Sequence, residues 1–236
     1  GHLNTRIDRV TPLDNPAVNG PWVCNKARDL ARMFERERAE QAMVQREVVD
    51  LDVAIRAAAE LIASAKHAVA LVSSWGSNEE LAAFHAALGP SFTSFVKADW
   101  VVQPGERVED DVLIKPDKNP NSAAARAMFP ALPADVAQAI PADTDLVFVW
   151  GEGAPFAAIP SSARVVLLTS YQLPENTRAD VLIPISVQTE RNGHYTNFQG
   201  VVTGFEQCFV KKASVADAQP LFESIFAASS HMAGAR

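Results

Sequence analysis

Leu146-Val-Phe-Val-Trp-Gly-Glu-Gly153 contains an uninterrupted apolar run that stops at two glycines. Further apolar runs cover residues 68–72, 165–168 and 181–183. Strands that are continuously apolar, rather than alternating, are buried on both faces, as in a parallel sheet covered by helices. Because helical patterns separate these runs, we predict an α/β fold with a Rossmann-like, mainly parallel sheet and flanking helices.

The helical patterns surround the run at 68–72. Over residues 51–65 apolar side chains recur at spacings of three and four, which places them on one face of an amphipathic helix. Ser77 is a suitable N-cap for a second helix. Residues 134–140 form a shorter helical candidate.

The first 47 residues have a different character. Residues 6–10 alternate polar and apolar, which predicts a half-buried strand, and several prolines follow. Residues 25–47 are strongly charged and contain no Gly or Pro, which predicts a solvated helix with Asn25 as its N-cap. We therefore expect an extended N-terminal arm and a charged helix before the α/β domain.

Composition restricts the classes of function. The net charge of -7 and pI of about 5.2 argue against a general nucleic-acid surface and against an anionic membrane surface. No apolar run is long enough for a transmembrane helix. The two cysteines, Cys24 and Cys208, lie far apart, which argues against a disulfide framework and favours a reducing, cytoplasmic compartment.

Two polar segments are candidate sites. Gly151 and Gly153 directly follow an apolar strand, where glycines let the backbone approach a phosphate. A third glycine is missing, so a tight structural turn is the favoured interpretation and a ligand loop the alternative. In the segment 189–197, Asn192 and Gly193 suit a turn with positive φ, and a cofactor or partner contact is the alternative.

Several segments, in order, resemble one superfamily. Residues 6–28, which include Cys24, resemble the end of the [4Fe–4S] subdomain of molybdopterin oxidoreductases, a subdomain that also occurs in the large iron–sulfur subunit of bacterial NADH:quinone oxidoreductase, complex I. Ser73-Ser-Trp-Gly-Ser-Asn-Glu-Glu80 resembles the segment that opens the pterin domain, and Phe148-Val-Trp-Gly-Glu-Gly-Ala-Pro155 a pterin-side strand and loop.

Two further segments carry the resemblance. Thr177-Arg-Ala-Asp-Val-Leu-Ile-Pro184, followed by Thr189-Glu-Arg-Asn-Gly-His-Tyr-Thr-Asn-Phe-Gln-Gly200, is similar to a signature of the superfamily. Asp111-Val-Leu-Ile-Lys-Pro-Asp-Lys-Asn-Pro-Asn121 resembles the complex I branch in particular. The resemblance implies that residues 1–47 are the remnant of the [4Fe–4S] subdomain plus a connecting helix. Residues 48–228 would be the molybdopterin-oxidoreductase-like α/β domain.

The resemblance also implies cofactors. Cys24 stands at the position of the fourth ligand of a [4Fe–4S] cluster, and the other three cysteines of the family pattern are not in this sequence. We therefore expect the chain to be a C-terminal fragment in which Cys24 is an orphan metal ligand. We expect no cofactor in this fragment, and [4Fe–4S] and [2Fe–2S] clusters in the full-length subunit.

The pterin site implied by the resemblance is expected to be vestigial. Its residues would be Gly151, Gly153, Arg178, Asn192 and Gly193. An acidic residue that faces guanine is typical after the strand at 165–168, and this sequence has Thr-Ser there. We therefore expect little or no pterin binding.

The leading functional expectation is a non-catalytic structural and docking domain of an electron-transfer subunit. Its partners would be other subunits of the NADH:quinone oxidoreductase, with no nucleic acid and no direct membrane insertion. Its location would be cytoplasmic, peripheral to the inner membrane through those subunits. The alternatives are a pterin-binding fragment of a molybdopterin oxidoreductase, such as a formate dehydrogenase, and a free-standing interaction module that reused the fold.

Overall fold

The computed structural model describes residues 2–3, 6–89, 92–106, 108–111 and 113–234. Its strands are β1 His2–Leu3, β2 Arg6–Ile7, β3 Ala42–Val44, β4 Glu47–Val49, β5 Ala68–Ser73, β6 Phe92–Lys97, β7 Leu146–Trp150, β8 Arg164–Thr169, β9 Val181–Pro184, β10 Gly193–Thr196 and β11 Val202–Phe205. Its helices are α1 Asn25–Arg28, α2 Leu30–Phe34, α3 Leu51–Ser64, α4 Asn78–Ala87, α5 Ser122–Met128 and α6 Ala218–Gly234.

The central sheet has seven strands in the order β4-β3-β9-β8-β7-β5-β6. Strands β5 to β9 run parallel, whereas β3 pairs antiparallel with both β9 and β4. From the β6 edge the parallel strands follow the chain order 2-1-3-4-5, which is the flavodoxin type of doubly wound sheet. The predicted α/β, Rossmann-like, mainly parallel sheet with flanking helices is confirmed.

The continuous apolar runs are explained by burial on both faces of this sheet. Alternate residues of β7 belong to two separate cores: Phe148 and Trp150 to one, Val147 and Val149 to the other. Helices α3, α4 and α6 contribute to the first core, in which the ring of Phe84 lies 4.6 Å from that of Phe222. Residues from short 3-10 turns contribute to the second core.

The predicted helices of the α/β part are largely confirmed. Helix α3 ends within a residue of the expected position, and Ser77 caps α4 in a capping box with Glu80. The stretch 134–140 forms only a 3-10 turn, Val136–Gln138. No helix in the described part of the chain is long and apolar enough to cross a membrane.

The single helix predicted over residues 25–47 is wrong. The chain forms only α1 and α2 there, and Cys24 rather than Asn25 is the N-cap, with its Sγ accepting a hydrogen bond from the Ala27 amide at 3.4 Å. The later part of this stretch enters the hairpin of β3 and β4 instead. Pairing of β3 with β9 thus overrides the local charge pattern.

This hairpin also changes the expected domain organisation. Residues 42–49 are part of the main sheet, so the boundary expected between residues 47 and 48 runs through β4. The strand expected at residues 6–10 is limited to β2, which pairs with β1 in a separate two-stranded ribbon. The arm therefore comprises residues up to about 40, and the sheet begins at β3.

Candidate functional site

A crevice opens at the carboxyl ends of β5 and β7. From these neighbouring strands the chain continues in opposite directions across the sheet, to β6 and to β8. Such a topological switch point is where open α/β sheets bind ligands. The volume of the crevice is about 50 Å³, enough for roughly one or two water molecules.

The floor of the crevice is formed by a buried ion pair. Asp99 accepts hydrogen bonds from Ser73 Oγ at 2.9 Å, from the Ser74 amide at 2.8 Å and from the Glu152 amide at 3.0 Å. The Lys97 ammonium lies 3.3 Å from Asp99 Oδ1 and donates to the carbonyl of Glu152. These contacts join the loops that follow β5, β6 and β7.

Both charges of this pair are largely removed from water. The side chain of Lys97 is 1% exposed and that of Asp99 is 8% exposed. Burial raises the pKa of the Asp99 carboxyl and lowers the pKa of the Lys97 ammonium, and their mutual attraction only partly offsets the loss of hydration. The pair therefore depends on its hydrogen bonds as well as on its opposite charges.

The two glycines after β7 fit against this floor. Gly151 and Gly153 have φ values of +81° and +73°. A Cβ atom would lie 2.1 Å from Asp99 Oδ2 at the first position and 2.5 Å from the Ala98 carbonyl oxygen at the second. This close approach and the positive φ values support the tight-turn interpretation, in which both glycines pack the turn on the loop after β6.

Arg36 lines the crevice, and together with Glu37 and Arg38 it forms a segment that we call the strap. Arg36 makes two hydrogen bonds of 2.8 Å to the carboxylate of Glu152, and its guanidinium stacks 3.7 Å from the centre of the Tyr171 ring. Arg38 binds the carboxylate of Glu190 at 2.7 and 2.9 Å. The strap thus contacts the loops after β7, β8 and β9.

The side wall depends on a third arginine. Arg191 donates to the Ser186 carbonyl at 2.6 Å and to the Trp75 carbonyl at 3.3 Å, and lies 3.2 Å from Glu80 Oε2. The Tyr195 hydroxyl also donates to the Trp75 carbonyl, and burial raises the pKa of this tyrosine to about 12. The two terminal nitrogens of Arg191 therefore contact other groups of the protein, whereas its buried Nε has no hydrogen-bond partner among the described residues.

The structure does not bring the five residues of the expected pterin site into one cavity. Gly151 lines the crevice, whereas Asn192 lines a separate, open groove of about 520 Å³ and accepts a hydrogen bond from the Gln207 amide. The turn with positive φ predicted at Asn192 and Gly193 is wrong: neither residue has a positive φ, and Gly193 begins β10. A Cβ atom on Gly193 would lie 2.9 Å from the Phe205 ring, so this glycine serves packing.

Arg178 lies at the amino ends of the parallel strands, opposite the carboxyl ends where the crevice is. It precedes β9 and donates to the Pro160 and Ala163 carbonyls, which precede β8. The length of a five-residue strand, about 15 Å, separates these amino ends from Gly151. A phosphate bound at the Gly151 turn would therefore be out of reach of Arg178.

Cys24, the expected orphan ligand, is half-buried at the start of α1, and Cys208 is exposed. Among the described residues, no three His, Cys, Asp or Glu side chains are grouped so that they could hold a metal ion.

Sequence reasoning missed the residues that define the crevice. Lys97 is the last residue of β6 and Asp99 follows the strand, which the sequence does not predict because residues 92–97 are not continuously apolar. The charges of the segment Glu35-Arg-Glu-Arg-Ala-Glu40 predict a solvated helix, whereas its arginines bind acidic residues more than 100 positions later. Polar residues immediately after strands were the available signal.

Neither the protein-family models nor the curated proteins with which the chain was compared gave a match.

The packing of Gly151 gives a direct test. Gly151→Ala adds a Cβ atom that clashes with Asp99, whereas Gly200→Ala has the same φ of +81° and nothing within 4 Å. The control should lose about 1–2 kcal/mol of stability from backbone strain alone. We expect the clash at Gly151 to cost roughly 2 kcal/mol more, measured by urea denaturation. Equal losses in the two variants would show that the contact with Asp99 is not restrictive.

The buried pair gives a pH-dependent test. In Lys97→Met the Asp99 carboxyl stays buried without its cation, so its pKa should rise further above the ordinary value of 3.8. The folded protein then holds a proton that the unfolded chain has released, and stability falls as pH rises through the folded pKa. The free energy of unfolding should increase by up to about 1.4 kcal/mol per pH unit between about pH 8 and pH 5 on acidification.

The matched control is the double variant Lys97→Met/Asp99→Asn, which removes both charges and keeps similar side-chain shapes. It should lack the added pH dependence, because no buried carboxyl remains. Urea titrations of wild type and both variants over the same pH range give the comparison. A single variant whose stability follows that of the double variant would show that Lys97 does not control the ionisation of Asp99.

Proposed function

We propose that this chain is a non-catalytic structural and docking domain of an electron-transfer subunit of NADH:quinone oxidoreductase. The observation that carries the proposal is that the protein's own side chains narrow the ligand crevice of the fold to about 50 Å³. In this role the domain supports cluster-bearing domains and contacts neighbouring subunits, while electrons pass through clusters held outside it. Its place would be cytoplasmic, at the inner membrane through those subunits.

The closed crevice supports a scaffold more than a pterin site. Pockets for drug-sized ligands usually have volumes of roughly 300–1,000 Å³, and this crevice has about 50 Å³. The arginines around it are paired with carboxylates: Arg36 with Glu152 and Arg191 with Glu80. An incoming phosphate would have to displace these carboxylates, and the remaining acids would repel it.

The arm supports a docking role. Among its side chains described between residues 7 and 38, none is fully buried, and Leu13 and Trp22 are 86% and 68% exposed. We propose that this face packs on the cluster-bearing part of the same subunit. Cys24 lies on this arm, half-buried, where it could complete a [4Fe–4S] site whose other ligands come from that part.

The choice of host rests on the resemblance of residues 111–121 to the complex I branch, since residues 6–28 resemble a subdomain that the whole superfamily shares. The alternative, a pterin-binding fragment of a molybdopterin oxidoreductase such as a formate dehydrogenase, is favoured by one observation. The crevice lies at the switch point of the sheet, where doubly wound domains bind nucleotides.

The host can be tested by tagging the protein at its chromosomal locus and purifying it under mild conditions. We expect NADH:ferricyanide reductase activity to elute with the tagged protein and to be absent from an untagged strain. Formate-dependent dye reduction in the same fractions would contradict the proposal and support the molybdoenzyme alternative. Elution without either activity would contradict both and support a free-standing interaction module.

The closed crevice can be tested by calorimetry with GDP, a surrogate for the guanine half of the pterin dinucleotide. We expect a Kd weaker than about 1 mM, corresponding to less than about 4 kcal/mol of binding free energy. Trp22→Phe provides a background in which tryptophan fluorescence reports on the crevice, because Trp75, Trp100 and Trp150 line it. Micromolar binding of GDP that changes this fluorescence would overturn the proposal.

A further inference from the structure

We infer that the strap is a releasable closure: the arm before Ala39 can leave the mouth of the crevice and expose a cleft lined by tryptophans. This inference rests on the closed crevice that the proposed function also uses, and it adds a moving part. The argument depends on where the arm is anchored, on the kind of contact that holds the strap, and on what lies beneath it.

The arm is anchored at its C-terminal end. Ala39 is 0% exposed and belongs to the second core, whereas no side chain described from residue 7 to residue 38 is fully buried. The Ala39 amide donates to the Ser170 carbonyl at 3.1 Å. Burial of apolar surface fixes the chain from Ala39 onward, so the arm has a natural pivot immediately after the strap.

The contacts that hold the strap can be exchanged for water. The side chains of Arg36 and Glu152 are 30% and 23% exposed, and those of Arg38 and Glu190 are 16% and 13% exposed. When the pairs separate, water can hydrate all four charges, which offsets part of the lost attraction. A closure held by apolar side chains would gain no such compensation, because opening would expose them to water.

The backbone contact beside these pairs is also replaceable. The Gln172 amide donates to the Glu37 carbonyl at 2.9 Å, and both residues are exposed, so water can take over this hydrogen bond. Arg38 also donates to the Ser170 carbonyl at 2.8 Å and to the carbonyl of the buried Ile185 at 3.4 Å, and water has to replace these hydrogen bonds too when the strap opens.

The strap covers an aromatic cleft. Trp75, Trp100 and Trp150 line the crevice, and they are three of the four tryptophans of the chain. The fourth, Trp22, lies on the arm and is 68% exposed. Withdrawal of Arg36 from the mouth would open this wall to solvent. A partner that draws the arm away would thereby change both the surface of the crevice and its fluorescence.

The experiment measures acrylamide quenching of tryptophan fluorescence in a Trp22→Phe background, in which only the tryptophans of the crevice remain. We expect the quenching constant to rise about twofold or more in Arg36→Ala/Arg38→Ala, because local opening exposes the ring edges. The matched control is Arg56→Ala/Arg164→Ala, which removes two arginines whose ion pairs lie away from the crevice and should leave quenching unchanged.

Two further measurements keep the inference falsifiable if the strap variant is unstable. In the unmodified strap, quenching by neutral acrylamide should increase from low salt to about 1 M salt, because ion pairs at partly exposed positions are screened. The charge swap Arg36→Glu/Glu152→Arg should restore part of the protection. Quenching that is unchanged in the strap variant and in high salt would overturn the inference, whether or not GDP binds. Binding of GDP by the wild type would overturn only the proposed function.

Discussion

The buried Lys97–Asp99 pair is the contact on which the carboxyl edge of the sheet depends. Its hydrogen bonds join the loops after β5, β6 and β7, and it requires glycine at position 151. The charges of such a pair are costly to remove from water and, once buried, costly to separate, so the pair fixes geometry even where it contributes little net stability. The floor of the crevice is bonded to the ends of β5, β6 and β7, so these three strands fix its position.

Above this floor the protein uses a ligand-binding position of the fold for internal contacts. Arg36, Arg38 and Arg191 each bind a carboxylate supplied by another element. Arginine side chains are suited to bind phosphates, but here their charges are neutralised by carboxylates of the same chain. The same arginines make the closure dependent on charge, which distinguishes the strap from the apolar packing on the two faces of the sheet.

The α/β class could be predicted because strands that are buried on both faces of a parallel sheet are continuously apolar, and such runs are visible in the sequence. The stretches at 146–150 and 165–168 are read directly as β7 and β8. Strand β6 was missed because it is an edge strand with Thr93 and Ser94 in its first half, and an edge strand need not be apolar throughout. The hairpin at 42–49 was missed because its pairing with β9 is not encoded in the charges of residues 25–47.

The sequence by itself determined the fold class, the helices α3 and α4, and the turn at Gly151, because periodicity, capping and glycine act over a few neighbouring residues. Only the tertiary structure decided which polar residues meet. Arg36 meets Glu152 across 116 positions, Arg38 meets Glu190 across 152, and Arg178 lies at the end of the strands opposite Gly151. These relations depend on the order of the strands in the sheet, and the order is set by the packing of the whole chain rather than by any local pattern.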